Sequence, residues 1–291
     1  MKKTVVLSIV LTLMLVFAGC GQSDNSKATT PADTDAPKTT SAETEAPKTT
    51  AAADTEAADT SAPESSAEET GNTAPEGVMT YEEYMAAELE SQVVIETYVQ
   101  AKQSWWDNKA TVYTQDEDGA YFVYNMTCSE EDYAKLVPGT KIKVTGYKTE
   151  WSGEVEIAEG ATFEILDGSY IAPALDVTEL LGTDELIQNQ NKFVAFKGMT
   201  VEAAGQDADG NDVAFLYNWD GSGEDGDDLY FKVSLNGENY TFTVESYLCD
   251  KTTDVYQAVK DLKIGDVIDM EGFLYWYEGV NPHITSVTAA Q

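Results

Sequence analysis

The segment from Asp207 to Asp212 has the residue types and the spacing that could hold a cation. Carboxylate or amide oxygens recur along it, at Asp207, Asp209, Asn211 and Asp212. Calcium takes six to eight oxygen ligands, and calcium loops begin with such alternation. The glutamate that closes a complete calcium loop is missing, and the flanking segments resemble strands rather than helices. A hairpin turn in a solvated loop is the alternative, for this segment and for the acidic segment Asp220–Asp228. The sequence therefore predicts no cofactor beyond weak calcium binding.

Residue patterns for catalysis are weak. His283 is the only histidine and stands at the predicted start of a strand, where a surface or packing role is expected rather than that of a general base. The chain has no G-x-S-x-G nucleophile motif. Paired carboxylates can perform acid–base catalysis, but in a chain with 52 acidic residues their occurrence carries little information. The sequence predicts a non-enzyme. A carboxylate-dependent hydrolase, assisted by calcium, is the alternative, and a deep pocket that joins two acids with raised pKa values would favour it.

Two cysteines, Cys128 and Cys249, lie in the predicted folded region. With no C-x-x-C pair and a single histidine, no zinc or redox site is recognisable. Each cysteine follows a strand-like segment and precedes a helix start. A buried free thiol packs as a small hydrophobic group, whereas an oxidising compartment permits a disulfide. The sequence leaves both states open.

The charge of the chain is strongly negative. All 17 basic residues are lysines, and the formal net charge is −35. The region after Gly77 has 12 lysines against 40 acidic residues, a net charge of −28. Lysine and arginine contacts supply most of the affinity for nucleic acid, and the guanidinium group of arginine is the preferred bidentate ligand of phosphate. We therefore do not expect a nucleic-acid partner, and binding of extracellular single-stranded nucleic acid is the least favoured function.

Two segments of the sequence match each other. Residues Leu136–Tyr147 and Leu262–Phe273 both read L-x-x-G-x-x-I-x-(V/M)-x-G-(Y/F). At equal offsets each continues to an aromatic residue and a glycine, which are Trp151 and Gly153 in the first copy and Tyr277 and Gly279 in the second. A turn glycine followed by alternation predicts a strand with one buried face, and a glycine within that strand permits a bend or a bulge. The match indicates an internal repeat.

The elements around these segments follow the same order in both copies: three strands, a short helix and two strands, with an added hairpin in the second copy. In the first copy a capping box at Thr80–Glu83 opens a helix to about Glu90, and Ser129 caps the helix before the motif. In the second copy the lead helix is predicted over Thr178–Gln188 and the second strand over Val213–Trp219. This order resembles the OB-fold, a small five-stranded, partly open barrel.

The chain thus resembles proteins with tandem OB-like domains. The resemblance implies a mostly β chain with one barrel over residues 78–168 and a second over residues 169–291; a single β-sandwich with a coincidental repeat is the alternative. OB-folds commonly bind ligands on the second and third strands and in the surrounding loops, which implies an aromatic ligand surface. Its candidate residues are Trp105, Trp106, Tyr113, Tyr121, Tyr147, Trp151, Tyr217, Trp219, Tyr230, Tyr275, Trp276 and Tyr277. The alternative for each of these rings is a place in the core.

The N-terminus has the features of a secretion signal. Two lysines precede an apolar segment from Thr4 to Phe17, which is shorter than the roughly 20 residues of a membrane span. Phe17-Ala18-Gly19-Cys20 resembles the bacterial lipobox, with phenylalanine where leucine is usual. With the tandem barrels, this segment makes the chain similar to Gram-positive bacterial lipoproteins. The resemblance implies that residues 1–19 are removed and that Cys20 carries the lipid anchor. An ordinary secretion signal is the alternative.

Residues 20–77 are rich in threonine, alanine, proline and acidic residues and include no aromatic residue. Such a segment buries too little apolar surface to offset chain entropy, so it is predicted to be a disordered tether. The predicted location is the outer face of the cytoplasmic membrane. The predicted function is a non-catalytic module that binds a glycan, a peptide or a protein of the cell envelope, with the bilayer as a further partner through Cys20.

Overall fold

The computed structural model describes residues 75–290, which lie within one compact unit of the chain. The predicted signal, Cys20 and nearly all of the predicted tether lie outside the described residues. None of the described helices is long and apolar enough to cross a membrane.

Residues Gln92–Ser169 form the first β-barrel. Its strands are β1 (Gln92–Lys102), β2 (Lys109–Gln115), β3 (Ala120–Thr127), β4 (Thr140–Trp151), β5 (Glu154–Ile157) and β6 (Thr162–Ser169). Five of them pair in the order β1-β2-β3-β5-β4, and the pairing of β1 with β4 closes the barrel, while β6 extends β4. Helix α1 (Tyr81–Ala86) precedes the barrel, and α2 (Glu130–Lys135) joins β3 to β4.

The second barrel repeats this plan. The strands of this region are β7 (Leu175–Asp176), β8 (Phe193–Glu202), β9 (Gly205–Gln206), β10 (Asp212–Val213), β11 (Phe215–Tyr217), β12 (Leu229–Leu235), β13 (Glu238–Val244), β14 (Val267–Phe273) and β15 (His283–Ala289). β9 and β10 pair with each other in a separate two-stranded sheet. The closed barrel runs β8-β12-β13-β15-β14 and back to β8, with helix α3 (Asp254–Lys260) between β13 and β14. Both barrels have the OB-fold strand order. The predicted mostly β chain with two tandem OB-like barrels is confirmed, and the single β-sandwich is wrong.

The repeated motif occupies equivalent places in the two barrels. Gly139 and Gly265 both take the left-handed conformation, with φ of +90° and +92°, at the turn before β4 and β14. Gly272, inside β14, lies at a register shift, and a Cβ atom there would stand 2.2 Å from the carbonyl oxygen of His283. Its counterpart Gly146 approaches the side chain of Ile157. Glycine at these positions lets neighbouring strands come together.

Three local predictions are wrong. The predicted lead helix of the second copy is two short 3₁₀ turns, Thr178–Leu180 and Leu186–Asn189, because Gly182 between them has φ of +78°. The second strand of that barrel is β12, whereas the predicted strand Val213–Trp219 is broken into β10 and β11 in the added hairpin region. Helix α1 ends at Ala86 rather than near Glu90. Its capping box at Thr80 and Glu83 is present as predicted.

Each barrel has its own apolar core, and a third cluster joins the two. Tyr113 and Phe122 from the first barrel pack against Phe273 and Tyr275 from the second, with the Tyr113 and Phe273 rings stacked 4.5 Å apart. Cys128 and Cys249 are free and buried, one in each core. Of the two states that the sequence left open, free thiol and disulfide, the structure has the free thiol.

Polar contacts also cross between the barrels. Glu154 Oε2 accepts hydrogen bonds from the backbone N–H of Trp276 at 2.9 Å and from Gln190 Nε2 at 3.2 Å. Asn191 Nδ2 donates to the carbonyl oxygen of Val155 at 3.0 Å. These bonds and the aromatic cluster hold the two barrels directly against each other.

Candidate ligand-binding cleft

A cleft of about 800 Å³ lies beside this junction and is lined by both barrels. The first barrel contributes side chains from the connection between β1 and β2, from β3 and β5, and from the end of β4. The second contributes side chains from β12 and the segment before it, from the segment after β13, from the connection between β14 and β15, and from the start of β15. The volume falls within the roughly 300–1,000 Å³ that is usual for small-molecule sites.

Exposed aromatic rings surround the opening of the cleft. They come from both barrels: Trp106, Tyr124 and Trp151 from the first, and Trp219, Tyr247 and Tyr277 from the second. Trp219 is 75% exposed and Trp151 is 53% exposed. Large apolar groups that remain accessible together on one surface indicate a binding site. These six residues form the aromatic rim of the cleft.

Part of the aromatic rim is built by the internal repeat. Trp151 and Tyr277 hold the same position in the two copies, and their ring centroids lie 5.0 Å apart at an interplanar angle of 34°. The next residues, Ser152 and Glu278, both have positive φ, of 52° and 53°. The backbone N–H of Glu278 donates to the carbonyl oxygen of Ser152 at 2.8 Å. The two equivalent turns therefore meet and present two equivalent aromatic rings.

His283 lies in the wall of the cleft, against Tyr275, with ring centroids 4.3 Å apart and nearly parallel. Burial lowers the pKa of His283 to about 3, so the imidazole is neutral. Its Nδ1 lies 2.6 Å from the hydroxyl of Tyr113, which also accepts a hydrogen bond from Gln103 Nε2 at 3.4 Å. A neutral imidazole carries one N–H and one acceptor nitrogen. Nε2 has no partner among residues 75–290, so His283 offers the cleft one unpartnered ring nitrogen for a hydrogen bond.

Two carboxyl groups line the cleft, one from each barrel. Glu156, on β5, is 7% exposed, and its side chain has no hydrogen-bond or ion-pair partner among the described residues. Burial raises the pKa of Glu156 to about 7. Glu245, after β13, accepts hydrogen bonds from the backbone N–H groups of Tyr247 at 3.2 Å and Leu248 at 2.8 Å. Burial and the nearby charge of Asp228 raise the pKa of Glu245 to about 7.

Neutral polar groups complete the lining. Asn281 is oriented by a hydrogen bond from the Thr243 hydroxyl to its Oδ1 at 2.8 Å, and its Nδ2 has no partner in the described part of the chain. Gln103 and Asn125 also line the cleft. No lysine lines it. The cleft thus combines aromatic faces, free hydrogen-bond donors and two acids.

The structure brings six of the sequence-predicted aromatic residues to the cleft: Trp106, Trp151, Trp219, Tyr230, Tyr275 and Tyr277. The others lie elsewhere. Tyr113 and Tyr121 are buried, the former in the junction and the latter in the core of the first barrel. Trp105 donates its indole N–H to the carbonyl oxygen of Cys128, and Tyr147 is exposed outside the cleft. Tyr217 and Trp276 pack against the core of the second barrel.

Several lining residues escaped the sequence prediction: Phe122, Tyr124, Glu156, Glu245, Tyr247, Asn281 and His283. Glu156 could have been found because it is a charged residue between the apolar residues Val155 and Ile157 of a short strand. In a chain this acidic, however, such positions are common and do not single out a site. For His283, a surface or packing role was expected. It does pack, and it also lines the cleft.

The predicted calcium loop is a hairpin turn between β9 and β10. Asp207 Oδ1 accepts hydrogen bonds from the backbone N–H groups of Asp209 at 2.9 Å and Asn211 at 2.8 Å. In the second acidic segment Asp225 pairs with Lys260 at 2.6 Å. Within residues 75–290 no group of three or more acidic, histidine or cysteine side chains is arranged to hold a metal ion.

Comparison with known proteins gives no family. No family model matches the sequence, and no curated protein matches it. Among solved structures, the tetrameric p202 HIN2 shares 11% identity over 70% of this chain and 96% of that chain, with a TM-score of 0.29. A murine DNA binding protein bound with double-stranded DNA shares 10% identity over 68% and 96%, with a TM-score of 0.31. The Ifi202 HINa domain in complex with 20-base-pair double-stranded DNA shares 12% identity over 70% and 97%, with a TM-score of 0.30. TM-scores and identities this low do not indicate a function for this chain.

Proposed function

We propose that the protein is a non-catalytic binding module and that the cleft between its barrels takes a glycan of the cell envelope. The observation that carries this proposal is the aromatic rim, which faces the ligand space from both barrels around a polar floor. An aromatic ring buries the apolar face of a sugar at little entropic cost, and it can have a polar partner nearby. The unpartnered ring nitrogen of His283 and the free amide N–H groups of Asn281 suit sugar hydroxyl groups, which both donate and accept hydrogen bonds.

The site of action is part of the same proposal. Cys20 is the lipid anchor, and residues 20–77 hold the barrels away from the outer face of the cytoplasmic membrane. The support is the sequence alone: a charged start, an apolar segment and a cysteine after two small residues. Two acyl chains on one cysteine are sufficient for stable anchoring. A peptide or a protein of the envelope is the alternative ligand.

A carboxylate-dependent hydrolase is the second candidate, because Glu156 and Glu245 line one cleft with raised pKa values. A carboxyl group that is still protonated near pH 7 can act as a general acid in glycoside hydrolysis. Against this function, both oxygens of Glu245 already accept backbone hydrogen bonds, and neutral His283 is too weak a base near neutral pH. We expect no release of reducing ends from an N-acetylglucosamine trimer. If the unmodified chain hydrolyses the trimer and Glu156→Gln does not, the protein is a hydrolase rather than a binding module.

A nucleic-acid partner is the third candidate. Two of the similar solved structures hold double-stranded DNA. In this chain no lysine lines the cleft, and the net charge is −35. Since affinity for nucleic acid depends on neutralising phosphates, we expect no retardation of single- or double-stranded DNA in a gel shift at low salt. Retardation that salt abolishes would favour this candidate instead.

Titration of the purified full chain in detergent with an N-acetylglucosamine trimer tests the glycan proposal, because three tryptophans of the aromatic rim report on the cleft by their fluorescence. Trp219→Ala should weaken binding by at least about tenfold, since truncating an aromatic anchor commonly costs more than about 1.4 kcal/mol. Tyr147→Ala is the matched control, because Tyr147 is a comparably exposed ring outside the cleft. No fluorescence response from the trimer or from other envelope glycans would contradict the proposal.

A further inference from the structure

Glu156 is the most unusual group in the cleft. It is 93% shielded from solvent, and it has no hydrogen-bond or ion-pair partner among residues 75–290. Its carboxylate oxygens are not sealed off from solvent, so they reach the open space of the cleft. A shielded carboxylate without a partner is costly unless something supplies a counter-charge or hydrogen bonds.

The protein itself supplies no cation at this place. The lining includes no lysine, and Lys109, which lies over the Trp106 ring, is bound to Glu159 at 2.7 Å. Glu245 adds a second acid to the lining. The faces of the rim aromatics are also negative, because of the ring quadrupole. Every charged or π group that faces the ligand space therefore favours a positive ligand.

The charge of Glu156 acts on another residue of the lining. After burial and the charge of Glu154, it is one of the causes that raise the pKa of Tyr275, whose ring stacks on His283. Burial raises the pKa of Glu156 to about 7, which is the effect expected when a carboxyl group lacks a partner. An ammonium group next to Glu156 would reverse that effect and favour the ionised carboxylate.

We infer that the cleft selects sugars that carry a free, protonated amino group, with Glu156 as the counter-ion of that amine. The inference rests on the proposed glycan function and names its ligand class: a short chain of 2-amino sugars without N-acetyl groups. The aromatic rim holds the sugar rings by stacking, and Glu156 distinguishes an amine from its acetylated form. An N-acetyl group is neutral and leaves Glu156 without a counter-charge.

A sugar fits the lining better than a basic peptide does. Exposed rings from both barrels line the cleft, and the unpartnered nitrogens of His283 and Asn281 match sugar hydroxyl groups. A peptide in an extended conformation would be expected to pair its backbone with a free strand edge, and the barrel strands that line the cleft, β3, β5 and β12, each have partners on both sides.

The test is tryptophan fluorescence titration of the full chain in detergent at pH 7 with two probes, a glucosamine trimer and an N-acetylglucosamine trimer. We expect the glucosamine trimer to bind at least tenfold more tightly. Glu156→Gln should make the two affinities equal within about twofold while binding of the acetylated trimer is retained, and this retained binding also shows that the variant is folded. Tyr147→Ala should keep the full preference.

The outcomes separate the two proposals. Equal affinities in the unmodified chain would overturn the inference about the amine and leave the glycan function standing. A preference that survives Glu156→Gln would overturn the role of Glu156. If neither trimer binds, both proposals fail. If trilysine binds as tightly as the glucosamine trimer, the cleft selects cations of any kind, and the assignment to an amino sugar is wrong.

Discussion

At the scale of single residues, buried ionisable groups concentrate where the two barrels meet. Glu154 is fully buried and joins both barrels, and burial raises its pKa to about 9. Its Oε1 and the neighbouring Asn191 Oδ1 are both buried without a partner among the described residues. Both atoms are acceptors when the carboxyl group is ionised, whereas a protonated Glu154 has a donor to offer. Glu154 is thus held as a neutral acid at the junction.

This state of Glu154 predicts a dependence of stability on pH. Because its folded pKa lies above its unfolded value of 4.5, the folded state binds the proton more tightly. The stability that the proton provides is complete below about pH 4.5 and is lost as the pH rises to about 9, by at most about 1.4 kcal/mol per pH unit. Glu154→Gln should flatten the profile of Tm against pH between 5 and 9, as measured by circular dichroism. A variant with the slope of the unmodified chain would contradict the prediction.

Glu156→Gln provides the comparison for that measurement. Its folded pKa of about 7 limits its contribution to the range from about pH 4.5 to 7. The Glu156→Gln variant should have a flatter profile of Tm against pH below pH 7 and an unchanged profile from pH 7 to 9.

At the scale of elements, helix α1 is attached to the first barrel by a buried lysine. Lys148 on β4 is 5% exposed, and its Nζ donates to the carbonyl oxygens of Tyr84, Met85 and Ala87 at 3.1, 2.8 and 2.9 Å. Burial lowers the pKa of Lys148. Carbonyl groups at the end of a helix lack intrahelical partners, so this lysine caps α1.

Lys148→Met should destabilise the protein by about 2–3 kcal/mol, because buried carbonyl groups lose a charged donor. Urea unfolding gives the magnitude, and hydrogen exchange should show faster opening in α1. Lys143→Met, on the same strand and half-buried without a hydrogen bond to α1, is the matched control. Equal losses in the two variants would mean that the cap contributes nothing.

The repeated glycines of β4 and β14 predict unequal effects in the two barrels. At Gly272 an added Cβ meets backbone atoms, the carbonyl oxygen and carbon of His283 and Ile284 Cα, whereas at Gly146 it meets mainly side-chain atoms of Ile157 and Ala161. Side chains yield more easily than backbone, and overpacking costs about 1–3 kcal/mol or more. Gly272→Ala should therefore lower the free energy of unfolding more than Gly146→Ala does. A larger loss in Gly146→Ala would show that β15 can move away from β14.

At the scale of the whole molecule, the proposed function needs the cleft on the outside of the cell. Cys20→Ser should abolish incorporation of an alkyne-labelled fatty acid and shift the protein out of the membrane fraction, because acylation at Cys20 is the proposed anchor. Fractionation and blotting measure both effects. Membrane association that persists in Cys20→Ser without label would mean that the apolar segment, rather than a lipid, anchors the chain.

The sequence by itself determined the architecture of the two barrels. Strand alternation, helix caps and the spacing of turn glycines are local features, so they predicted β1 to β5, the caps at Thr80 and Ser129, and the order that defines the OB-fold. The repeat also marked Trp151 and Tyr277 as equivalent. Their contact follows from how the barrels dock, which no local pattern encodes.

Only the tertiary structure decided which aromatic residues face a ligand. In β2 the residues from Ala110 to Gln115 are all buried, because one face of the strand meets its own core and the other meets the second barrel. Alternation distinguishes the two faces of a strand but does not reveal that both are covered. Tyr113 therefore belongs to the junction, while Glu156, His283 and Asn281, whose local patterns indicated nothing, come together in the cleft. Their meeting depends on the packing of one barrel on the other, a long-range interaction between surfaces far apart in the sequence.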